Sequence, residues 1–181
     1  WELEGDMLTF KSLEKKALLA TPYKCLIDPD AKVFNQRDQM PLTIQNYCRD
    51  TKQEVPTTIG EITRCVYESL ALKYKYIIGK LEETLGYQMD KILLIGGGVQ
   101  SKFHNDLTAK ITQKDVYVGP VEATVLGNSI VQMLANKDIK SLEDGQDFIY
   151  NHLIKIDDIK FEADDDKAYE RFKKLVDKEH E

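Results

Sequence analysis

The stretch KILLIGGGVQSKFHNDL, Lys91–Leu107, decides the reading of the fold. Residues 91–95 are too few for a helix and apolar on both faces, which predicts a central strand of a parallel sheet. Gly96, Gly97 and Gly98 then turn the chain into a segment with helical spacing. At such a corner the backbone N–H groups and the positive end of the helix dipole converge on one spot, and glycine lets a ligand approach without meeting a Cβ. A tight strand-to-helix turn with no ligand would satisfy the same residues.

Two nucleotide loops can be tested by spacing. A P-loop needs Lys and then Ser or Thr directly after its last glycine, and Val99-Gln100 stand there instead. A dinucleotide fold needs G-x-G-x-x-G, whereas Gly96 to Ser101 reads G-x-G-x-x-S. That fold also wants an acid at the far end of the next strand, and Asp115 stands at its start.

Working outward, Val116–Val118 predicts a second strand, and GPVEATVLGNSIVQML is helical in spacing from Val121. Strand, helix, strand and helix make a right-handed βαβ unit the default. Upstream, Thr58-x-x-Glu61 is a capping box opening a long helix to Leu85, with Gly86 as its stop. Its apolar stripe is Ile62, Val66, Leu70, Tyr74, Ile78, Leu81 and Leu85. A short helix is expected from Thr9 to Ala20, with Leu13, Ala17 and Leu18 on one side. LIDPDAKVF, 26–34, reads as loop because Pro29 disfavours helical backbone at Asp28. One or two helical turns follow in MPLTIQNYC, with Ile44 and Cys48 inward. Ser141-x-x-Asp144 and Asp164 mark further helix starts. Two strands make an uncomfortable sheet, so others are expected within the first 40 residues or in sequence outside this chain.

The 181 residues carry a net charge of −6 with basic and acidic residues interspersed. No basic stripe fits nucleic acid and no apolar run fits a membrane span. Cys25, Cys48 and Cys65 are an odd number without close spacing, so neither a zinc knuckle nor a disulfide framework is expected. Cys65 reads as a small core residue, and a reducing cytoplasm fits. A start at Trp1 suggests a piece of a longer protein.

Four collinear segments sharpen the reading: LIDPD at 26–30, Pro56 to Tyr74, LLIGGGVQSKFHNDLTA at 93–109, and VGPVEATVLGNSIVQ at 118–132. In order and spacing they resemble the C-terminal lobe of the FGGY carbohydrate kinases, and within that family the rhamnulokinase branch. The resemblance covers roughly residues 26–133. It implies an α/β fold: a helix-rich fragment of an actin-like, ribonuclease H-like ATPase lobe with a short parallel β-α-β core. It implies ATP and Mg²⁺ as cofactors, and L-rhamnulose as the sugar phosphorylated on its 1-hydroxyl. Other sugars of the family, or a non-catalytic self-associating module, are the alternatives. By the same resemblance Gly96, Gly97 and Gly98 contact nucleotide. Gln100 would orient the base or cap the helix. Asn128 would face the loop, or be a buried amide bonded to backbone. Glu122 would compensate a helix dipole and His104 would be a surface or capping side chain. No catalytic base or metal ligand is expected in this chain. The general-base Asp and the sugar pocket belong to an N-terminal lobe that the chain lacks, and Trp1–Gly5 would end a helix of the missing part. Self-association through an exposed sheet is a further expectation.

Overall fold

In a computed structural model, residues 9–35 and 39–179 are described. The reading of Trp1–Gly5 as a helix end lies outside them. Helix α1, Phe10–Leu18, opens at Thr9 in a capping box with Ser12. Its Ala17 is buried, but Leu18 is turned to solvent, against the expected apolar side. Helix α2, Met40–Asp50, takes Pro41 in its first turn and buries Ile44, Tyr47 and Cys48. Helix α3, Ile59–Leu85, begins at the predicted Thr58–Glu61 capping box and ends at Gly86, whose φ of +75° is the left-handed stop.

The stripe expected on α3 is only partly inward, since Leu81 and Leu85 are about half exposed (46% and 51%). The reason is that α3 is buried on several sides over its first half and on few over its second. Ile62 and Cys65 join one apolar cluster with Cys25, Ile27, Ala31, Ile44, Tyr47 and Cys48. Ala71 and Leu72 join another with Ala17, Leu26, Phe103, Leu107, Ile111 and Phe172.

Between these clusters runs the extended segment 25–28, whose neighbours alternate: Cys25 and Ile27 enter one cluster and Leu26 the other. Among the described residues no strand pairs with it, and side chains satisfy its backbone. Gln53 accepts from the Leu26 N–H at 2.9 Å and donates to the Leu26 carbonyl at 2.7 Å. The Ile27 N–H donates to Ser69 at 2.9 Å, and the Asp28 N–H to the Tyr47 hydroxyl at 3.2 Å. A 3₁₀ turn follows at Lys32–Asn35.

The sheet has strand β1 at Lys91–Leu94, β2 at Asp115–Val118 and β3 at Ile154–Lys155, in that order. β1 and β2 are parallel, pairing Lys91 with Asp115 through Leu94 with Val118. β3 is antiparallel to β2, pairing Tyr117 with Lys155 and Val118 with Ile154. The βαβ expectation holds, with helix α4 at Lys102–Thr112 as the crossover. The added strand is not within the described part of the first 40 residues, and it makes the sheet mixed. Nor is β1 covered on both faces, because Leu93 is 50% exposed. Helices α5 (Ala123–Asn136), α6 (Leu142–Tyr150) and α7 (Ala163–Glu179) complete the chain. The predicted start at Ser141–Asp144 is a capping box.

Candidate functional site

The glycine triplet stands at the carboxyl end of β1, beside the carboxyl end of β2, where open parallel sheets place their ligands. Two backbone bonds clamp the loops that leave these strands. The Gly119 N–H donates to the Leu94 carbonyl at 2.8 Å, and the Gly96 N–H to the Pro120 carbonyl at 3.2 Å. Gly96 has φ +86° and ψ −173°, a combination essentially reserved for glycine. Gly97–Gln100 then form a single 3₁₀ turn.

The three glycines do different things. Gly96 is required by its backbone angles. Gly97 and Gly98 have no positive φ, and a Cβ on either would meet nothing within 4 Å. Among the described residues nothing stands where a Cβ at either position would go. Gly119 is a packing glycine, since a Cβ on it would stand 3.1 Å from the Ile95 side chain and 3.3 Å from that of Leu93.

Behind the turn, Val99 is buried, and the buried Asn105 amide donates to the Val99 carbonyl at 2.8 Å. Ser101 caps α4 by accepting from the His104 N–H at 3.2 Å. That settles one alternative for Gln100: it does not cap the helix, and its side chain is exposed beside the turn. Asn128 lies on α5 and is exposed, so it is not a buried amide. Glu122 is the residue before α5 rather than within its first turn, and its side chain makes no capping bond. His104 is buried, not superficial. Its ring lies 5.4 Å from that of Tyr67 and 5.7 Å from that of Tyr74, and burial lowers its pKa.

The LIDPD loop carries a buried ion pair. Lys73 reaches Asp28 at 2.8 Å and Asp30 at 3.0 Å, with Asp28 fully enclosed. The Asp30 N–H donates to the Asp28 carboxylate at 3.1 Å, which shapes the turn. Five residues before Lys73 along α3, Glu68 accepts from Arg64 at 2.7 Å and from the Tyr23 N–H at 2.8 Å. Burial outweighs both partners and pushes its carboxyl up to about 7.

Cys25, Cys48 and Cys65 lie far apart in sequence, yet their sulfur atoms lie within 4.8 Å of one another in the apolar cluster between the extended segment, α2 and α3.

Residues 2–136 match the family model described as "FGGY family of carbohydrate kinases, C-terminal domain". The chain belongs to the FGGY family of carbohydrate kinases. It is 36% identical over 150 residues to the rhamnulokinase of Bacillus subtilis, covering 83% of this chain and 31% of that protein. The rhamnulokinase of Ligilactobacillus salivarius is 38% identical over 147 residues, covering 81% of this chain and 30% of that protein. The chain thus spans about a third of the length of these relatives. Among solved structures, Plasmodium falciparum glycerol kinase with ADP superimposes with a TM-score of 0.67 at 15% identity, covering 98% of this chain and 35% of that one. Xylulose kinase from Rhodospirillum rubrum gives 0.60 at 15% identity, with 94% and 34% coverage. These two likenesses support the fold alone, the helix-rich α/β lobe expected from the sequence. The FGGY match stops at Asn136, so α6, β3 and α7 lie beyond it.

Sequence reasoning missed Asn105 and Gly119, which hold the turn from behind and from the side. The pairing of Gly119 with β1 was hidden because it depends on strand register. The burial of Asn105 had a trace in its place four residues after Ser101 on the inward side of α4.

Proposed function

We propose that the chain is the nucleotide-side lobe of a rhamnulokinase-like kinase, which moves the γ-phosphoryl group of ATP to the 1-hydroxyl of L-rhamnulose. The observation that carries the reading is the open space over Gly97 and Gly98. In a turn clamped by β1, β2 and Asn105, two positions carry no side chain although the described residues leave room for a Cβ at each. A flat adenosine lying against that backbone supplies the reason. Gly96 sets the turn, Gly97 and Gly98 receive the nucleotide, and the exposed amides of Gln100 and Asn128 are assigned to it as further contacts.

The chemistry in this lobe is positioning and neutralisation of charge. The turn has no carboxylate of its own, so its donor set does not fit Mg²⁺ unaided, and no step is assigned to the ion here. The proton acceptor for the sugar hydroxyl is assigned to an aspartate on a sugar-side lobe outside this chain. Cytoplasmic residence follows from the enzyme class and suits three unpaired cysteines.

The chain alone, given L-rhamnulose and ATP with magnesium, is expected to release no ADP in a coupled assay. Joined to the sugar-side lobe it is expected to turn over, and Gly97→Val is expected to abolish that turnover. A fully active Gly97→Val enzyme would overturn the assignment of the turn. A second reading, self-association, is favoured by the exposure of Leu93, Ile95, Val125 and Ile154. Sedimentation of the chain at high concentration decides it, a strict monomer being the outcome against it.

A further inference from the structure

The three buried thiols are not used by the nucleotide reading. Cys25, Cys48 and Cys65 are 1%, 0% and 2% exposed, and each side chain offers one sulfur to a common centre. Their separations, all within 4.8 Å, suit one shared ligand atom. Three sulfurs each at a typical metal–thiolate length of about 2.3 Å stand about 4 Å apart when planar, and closer when pyramidal. We propose that Cys25, Cys48 and Cys65 form a three-thiolate site for a trivalent thiophilic ion, of which arsenite is the chemical type.

Coordination number argues against zinc. Structural zinc takes four ligands, and the cluster provides three among the described residues. Charge argues for the trivalent class. Three thiolates leave a net negative charge on a monovalent or divalent ion and none on a trivalent one. Burying an unpaired charge among Ile27, Ile44 and Ile62 is costly. The reaction balances without any oxidant: As(OH)₃ and three thiols give As(S-Cys)₃ and three waters. Three As–O and three S–H bonds break, while three As–S and three O–H bonds form.

The three elements that supply the sulfurs are held independently. Cys25 is on the segment bonded to Gln53 and Ser69, Cys48 is in the last turn of α2, and Cys65 is in the second turn of α3. Because the site is closed, capture requires local opening and is expected to be slow.

The test uses the phosphine-reduced chain and sodium arsenite, followed by intact-mass spectrometry under native conditions. The expected product gains one arsenic and loses three hydrogens, and no thiol remains reactive toward a maleimide after unfolding. Cys48→Ser is expected to reduce retention of arsenic at least tenfold. Zinc at the same concentration is expected to remain exchangeable. The proposal is overturned if no arsenic is retained by the native chain. It is equally overturned if the adduct has lost only two hydrogens, or if folded Cys48→Ser retains arsenic as the parent chain does. The hydrogen count comes from the unmutated chain, so a variant that fails to fold does not remove the test.

Discussion

At the scale of single residues, the glycine triplet separates what the fold needs from what a ligand needs. Gly96 has backbone angles that L side chains avoid, and Gly97 and Gly98 do not. Gly96→Ala is therefore expected to cost about 1–3 kcal/mol of stability. Gly98→Ala is expected to stay within about 0.5 kcal/mol, because nothing stands where its Cβ would go. Urea unfolding of the two variants measures the difference, and equal losses would mean that the chain's own packing requires both. Glu68 offers a pH test. Its carboxyl sits at about 7 when folded, while an unfolded one titrates near the ordinary carboxylate value of about 4.3. Between those values the folded state holds the extra proton, so this contribution is fully present below about pH 4. It declines as the pH rises through 7, by up to about 4 kcal/mol. Glu68→Gln, neutral throughout, is expected to flatten the stability profile between pH 5 and 7, and parallel profiles for the two proteins would contradict the assignment. Neither Glu68 nor the cysteine trio was legible in the sequence. Periodicity reports which side of a helix is apolar, whereas these groups are buried because an extended segment is threaded past α2 and α3. The turn itself was legible, since three consecutive glycines after an apolar run have few other uses.

At the scale of elements, local chemistry was legible and pairing was not. The capping boxes at Thr58 and Ser141 and the glycine stop at 86 mark real helix ends, because each is a bond made within four residues of sequence. β3 is two exposed residues whose only strand-like property is their register with Tyr117 and Val118, which no local pattern encodes. The exposed second half of α3 was misjudged for the same reason, since its apolar spacing says nothing about whether a neighbour is there. The packing of α1 on α3 turns on one residue that the sequence reading passed over. A Cβ on Gly60 would stand 2.4 Å from the Lys16 backbone oxygen, and backbone cannot swing aside as a side chain does. Gly60→Ala is expected to force α1 away from α3 and cost about 1–3 kcal/mol, lowering the urea midpoint. An unchanged midpoint would show that α1 contributes nothing to the stability of the lobe.

At the scale of the whole molecule, the question is whether the part beyond the FGGY match is an appendage or a structural member. Helix α7 lies past residue 136, yet its Phe172 and Val176 are fully buried in the cluster with Leu26, Leu72, Phe103, Leu107 and Ile111. Polar ties reinforce the contact. Asp165, itself fully buried, accepts from the Tyr23 hydroxyl and pairs with Lys110 at 3.1 Å, and Arg171 donates to the Tyr23 carbonyl at 2.9 Å. These bonds reach the segment just before LIDPD and the crossover helix α4, which carries Asn105 behind the glycine turn. Phe172→Ala removes a ring from a site with no solvent access, so a loss of about 3–5 kcal/mol is expected. Because the cluster draws on α1, α3, α4 and α7 together, the loss should fall on one cooperative transition. Circular dichroism and hydrogen exchange at Leu107 and Ile111 are expected to report the same lowered urea midpoint. Early release of α7, with protection of α4 unchanged from the parent chain, would instead show that the lobe stands without its C-terminal helix.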